Sequence, residues 1–97
     1  MHAAQIYKSV SLTWLVTHDG NAPINGFFVT HRYTNRTITR DTVYRLTTEQ
    51  GNVLQIDNLA VGVKHLFIVE AENRLGRSDP AKVEMTLIST GKYIILS

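Results

Sequence analysis

Apolar residues along this chain recur at every second position, and no segment carries them at the three-and-four spacing of a helix face. In SVSLTWLV, Val10, Leu12 and Trp14 fall on one side and Ser9, Ser11 and Thr13 on the other. GFFVTHRYT sets Phe27, Val29 and His31 against Phe28, Thr30 and Arg32. Further on, Phe67, Val69 and Ala71 alternate with Ile68, Glu70 and Glu72, and Val83, Met85 and Leu87 alternate with Lys82, Glu84 and Thr86. VYRLT is read as a short strand, VLQIDNL as a strand with Leu54 and Ile56 inward, and a weak first strand is placed around Ala4 to Tyr7. A period of two is the repeat of an extended strand with one buried face, so these segments must lay one sheet against another. THDGNAP and EQGN carry turn chemistry, and TNRTITRDT reads as a polar loop. Turn signals every 8–12 residues or so are the spacing of an all-β sandwich.

The 97 residues suffice for one domain with one core. Residues 1–90 are assigned to that domain, with a final strand ending near Thr90. The last seven, GKYIILS, are read as a linker or the start of a following segment, and the whole as one domain of a longer protein. A net charge of +2, with the six arginines scattered over several segments, argues against nucleic acid, which needs clustered cations. The absence of cysteine excludes a thiolate zinc site and a disulfide framework. No apolar run approaches the length of a membrane-spanning helix, so direct membrane insertion is not expected. The opening MHAAQIYKSV has neither the basic region nor the long apolar run of a signal peptide. No nucleophile elbow, phosphate loop or metalloprotease helix occurs, and the acids fall on loops or outward strand positions. Glu70 and Glu72 are read as solvated outward charges. The expectation is a protein without catalytic activity, cofactor or metal.

With the strands laid out, the chain resembles a fibronectin type III domain over roughly residues 4 to 90. The likeness rests on Trp14 in SLTW, on PINGFFV, and on the run Leu59-x-x-Gly62-x-x-His65-x-Phe67-x-Val69-x-Ala71-x-Asn73-x-x-Gly76-x-Ser78. It implies a seven-stranded antiparallel immunoglobulin-like sandwich, one sheet from strands A, B and E and the other from C′, C, F and G. Trp14 is the inward anchor between the sheets, Leu59 closes the core before the chain crosses over, and Gly62 permits the turn there. His65 stands where the family usually has the tyrosine whose hydroxyl bonds back to the upstream chain, and Val61 where it usually has proline. An imidazole is shorter than a phenol, so a weakened corner is expected, at a cost of about 1 kcal/mol. His31 and His65 are expected near the same end of the sheet on its inward face, where two imidazoles can titrate together or hold a metal.

The family resemblance also implies a role: a non-catalytic interaction and spacing module of a larger receptor-like or adhesion-type protein. The expected partner is another protein, a homophilic copy or an adjacent domain. An inert spacer in a secreted enzyme, phage tail or intracellular scaffold is the alternative. Small-ligand or sugar binding has less behind it, with Tyr33 and Tyr44 as its only aromatic pair. By strand parity Phe28, Leu66 and Ile68 face outward on adjacent strands, making an apolar patch bordered by Thr30, Arg32, Glu70 and Glu72. A second candidate is the loop end with His18, Asp19, Arg74, Arg77 and Asp79. Asn35-Arg36-Thr37 is a glycosylation triplet on an exposed loop, and it favours an extracellular or cell-surface location over an intracellular one.

Overall fold

The computed structural model describes residues 1–16 and 22–89. Eight strand segments form two antiparallel sheets: β1 (His2–Ile6), β2 (Ser9–Thr13), β3 (Gly26–Asn35), β4 (Ile38–Thr47), β5 (Val53–Ile56), β6 (Lys64–Asn73), β7 (Gly76–Arg77) and β8 (Ala81–Thr86). The first sheet has the order β1-β2-β5; in the second, β4-β3-β6 is continued on the far side of β6 by β7 and β8. β7 and β8 together occupy one strand position, so the arrangement is the expected A-B-E and C′-C-F-G sandwich with its last strand broken.

The inward residues of both sheets make a single core, with Val10, Leu12 and Trp14 from β2 and its continuation packed on Phe27, Val29, Phe67 and Val69. Leu46, Ile56, Leu59 and Leu87 complete it. Full burial of side chains of this size contributes about 1.5–3 kcal/mol each. Trp14 meets Phe27 edge-on, with ring centroids 5.4 Å apart, and Leu59 is buried with its N–H donated to the Lys8 carbonyl. Gly62 turns the chain into β6 at φ +74° and donates its N–H to the Leu87 carbonyl at 2.7 Å. Gly26 is required for a different reason: a Cβ there would lie 2.9 Å from the Leu46 carbonyl oxygen.

Three boundaries differ from the sequence reading. The stretch TNRTITRDT is mostly strand, because β3 runs to Asn35 and β4 starts at Ile38, joined only by Arg36 and Thr37, with Arg36 at φ +58°. Asn35 is therefore the exposed last residue of a hairpin strand and not part of an open loop. The last strand ends at Thr86 and not near Thr90. It is also interrupted: between the pairs Glu72↔Arg77 and Val69↔Ala81, two residues of β6 face three, Ser78, Asp79 and Pro80. That is a bulge of one extra residue. Ser78 closes it, donating its N–H to the Ala71 carbonyl and accepting the Ala71 N–H on its hydroxyl at 2.9 Å. Pro80 has no N–H, and it falls where the ladder asks for none. Residues 90–97, with the GKYIILS segment, and residues 17–21 lie outside the described residues.

Candidate functional site

The outer face of the second sheet carries the most organised surface chemistry. Register places Phe28 opposite Glu70, Thr30 opposite Ile68 and Arg32 opposite Leu66. On the other side Phe28 faces Arg45, Thr30 faces Val43 and Arg32 faces Asp41. Phe28, Leu66 and Ile68 thus share one face, each half-buried. The patch is not bare, as expected from parity alone, because cations cover part of it. The Arg77 guanidinium carbon sits 3.6 Å from the Phe28 ring centroid and that of Arg45 4.9 Å from it. A guanidinium over an aromatic face is worth about 0.5–1 kcal/mol where solvent reaches it.

Acids anchor these cations in turn. Arg45 donates to Glu72 at 3.0 Å and Arg77 pairs with Glu70 at 3.7 Å, so the two outward glutamates each hold an arginine. Arg32 grips Asp41 through two bonds of 2.8 and 2.9 Å. The hydrogen bond and charge of Arg32 hold the Asp41 carboxyl below its ordinary range, and the same contact raises Arg32. Lys64 and Glu84 form a looser pair at 3.7 Å.

Arg77 reaches this face because of the bulge. Strict alternation from Ala81, which lies opposite the inward Val69, would carry Arg77 inward; the extra residue places it opposite the outward Glu72. This takes Arg77 away from the loop end where the sequence had grouped it. Of the other residues expected there, Arg74 is exposed and Asp79 borders a cleft of about 200 Å³ beside Trp14. The other two of the five, His18 and Asp19, lie outside the described residues. Sequence reasoning missed Arg45 and Arg77 as covers for Phe28. The signal for Arg45 was its place on a strand neighbouring Phe28; nothing in the sequence announces the bulge. It also missed that the buried Trp14 indole Nε1 has no hydrogen-bond partner among the described residues.

On the opposite, inward side, β3 and β6 place Tyr33 beside His65 and His31 beside Phe67. The ring planes run nearly parallel: His31 lies 5.0 Å from both Phe67 and His65 and 5.7 Å from Tyr33, centroid to centroid. His31 is 5% exposed and His65 1%. Their facing nitrogens, His31 Nε2 and His65 Nδ1, are 2.8 Å apart. The corner expected to be weak is closed, since His65 Nε2 bonds to the Ala60 carbonyl at 2.8 Å. The shorter ring reaches this acceptor, five residues upstream, directly. Burial, then the neighbouring His65, lower the pKa of His31, and Asp41 opposes them in part. Tyr33 and Tyr44 border the adjoining cleft of about 250 Å³ together with both histidines. Among the described residues, no three metal-ligating side chains converge, and no helix is long and apolar enough to cross a membrane.

Comparison with known proteins agrees with this architecture. Residues 3–86 match the fibronectin type III domain profile. Among solved structures, a computationally redesigned β-sandwich protein superposes with a TM-score of 0.70 at 23% identity, over 92% of this chain and 90% of that one. A myokine structure gives 0.68 at 16% identity, over 90% of each chain. The kinase region of Caenorhabditis elegans twitchin gives 0.66 at 18% identity, with 88% of this chain matched to 15% of the longer one. The profile match, the A-B-E and C′-C-F-G sheets and the buried Trp14 lead to one conclusion: this chain belongs to the fibronectin type III domain family.

Proposed function

We propose that this domain is a non-catalytic protein-interaction and spacing module of a larger, receptor-like or adhesion-type protein at the cell exterior, and that the outer face of the β4-β3-β6 sheet is its contact surface. The observation that carries the reading is the cluster of half-buried Phe28, Leu66 and Ile68 on an open sheet face, ringed by Arg32, Arg45, Arg77 and Glu70. Apolar centres with a charged border are common at protein interfaces, and arginine and aromatic residues are enriched in them. The arginines over Phe28 can swing aside and pair with a partner's acids, so docking exchanges contacts on this face without stripping it of charge. The exposed Asn35-Arg36-Thr37 triplet at the hairpin tip supports an exterior location. A second copy of the chain is the first partner to test.

Sedimentation velocity across a hundredfold concentration range, with Phe28→Arg run beside the native sequence, tests this. A concentration-dependent dimer that the variant loses supports recognition through this face. A monomer in both samples refutes self-recognition and favours the plain spacer, a reading to which the internally paired charges also lend weight.

A further inference from the structure

The His31–His65 pair fixes its own hydrogen positions. A carbonyl oxygen only accepts, so the bond to Ala60 requires a proton on His65 Nε2. A neutral His65 then has a bare Nδ1, and the 2.8 Å contact requires the proton on His31 Nε2. The relay runs one way, from His31 to His65 to the Ala60 carbonyl, and it is complete with both rings neutral. One added proton is also accommodated: on His31 it leaves the relay intact. On His65 it reverses the first bond, with His65 Nδ1–H donating to a bare His31 Nε2. Two added protons are not accommodated, since N–H would then face N–H across 2.8 Å between two buried rings.

We propose that His31 and His65 act as a proton-sensing joint, which accepts at most one proton while the sandwich is intact and releases the corner at Ala60 to Gly62 when acid forces the second. The surroundings offer little relief. Facing the pair are Tyr33 from β3, Tyr44 from β4, Phe67 beside it on β6, Met85 opposite His65 on β8, and Asp57 across the cleft. Asp57 is already engaged by the Ser9 hydroxyl and the Gln55 amide, and Asp41 by Arg32. The corner is tied to the neighbouring strands through Leu59 N–H to the Lys8 carbonyl and Gly62 N–H to the Leu87 carbonyl, so the disturbance reaches the end where β8 leaves the sheet.

The sign follows from proton counting. Below about pH 6.5 the unfolded chain takes up a proton on each of the two imidazoles, whereas the folded pair takes one at most. The unfolded state therefore binds more protons, and stability falls as the pH drops; well above that range the pair leaves stability unchanged. Each proton of difference raises the unfolding constant about tenfold per pH unit.

Nitrogen-15 imidazole spectra of the 97-residue chain from pH 8 to 5 read the pair directly, and urea titrations at the same pH values read its linkage. At pH 8 both rings should show the Nε2–H tautomer. On acidification the folded pair should gain no more than one proton, and the unfolding constant should rise by about sixfold or more between pH 6 and 5. In His31→Gln the amide can accept from a protonated His65, so the rise should shrink. Two fully protonated imidazoles in a chain whose amide spectrum stays native would overturn the proposal, and so would an acid dependence identical in His31→Gln.

Discussion

Trp14→Phe is expected to leave the domain nearly as stable as the native sequence, although Trp14 is a buried anchor of the core at 9% exposure. Two effects oppose each other. The exchange removes two ring carbons, about 1.6 kcal/mol at roughly 0.8 kcal/mol per buried carbon. It also removes a buried N–H that has no acceptor among the described residues, a group whose desolvation costs about 1–3 kcal/mol. The edge-on contact with Phe27 at 5.4 Å asks only for a ring and survives. The balance lies within about 1 kcal/mol of zero, whereas Trp14→Ala, which empties the site, should cost about 3–5 kcal/mol. Far-UV circular dichroism in urea is the suitable assay, because Trp14 is the only tryptophan and its fluorescence disappears with it. A loss of about 3 kcal/mol or more in Trp14→Phe would refute the reasoning, since it would mean that the indole N–H contributes a bond instead of lacking one.

Phe67, fully buried and stacked on His31, should lose about 3–5 kcal/mol on Phe67→Ala by urea titration; a loss under about 1 kcal/mol would place it outside the core. Asp57 is held below its ordinary pKa by the Gln55 amide and then by the Ser9 hydroxyl. Its stabilisation is present above about pH 3.9 and is lost as the pH falls further, through the lower folded value. The gap in melting temperature between native chain and Asp57→Asn should thus narrow between pH 6 and pH 2.5, and a constant gap would show that the two bonds do not distinguish carboxylate from amide.

What the sequence revealed depended on burial leaving a mark. β2, β3, β6 and β8 bury one face along much of their length, so alternation located them. The outer half of the β3–β4 hairpin buries almost nothing: residues 34–43 are exposed, Ile38 and Val43 included. Backbone pairing holds it, helped by Thr34 against Thr39 and Arg32 against Asp41, and such contacts impose no apolar period to read. Antiparallel reasoning placed His31 and His65 close together, because proximity follows from register. Their bond to each other and the reach to Ala60 depend on rotamers and on the path of one tight turn, which residue types do not encode. Arg77 shows the same limit: its facing depends on a single extra residue several positions away.

The extra residue in the last strand sets which way the chain faces on each side of it. A straight last strand would need one residue fewer between Arg77 and Ala81 to give both the same facing as here. Without it, either Arg77 would turn to the core side or Val83 and Met85 would turn to the surface. The Ser78 hydroxyl, standing in for a missing backbone acceptor, shows how the extra residue is absorbed locally, leaving the strands on either side in their places.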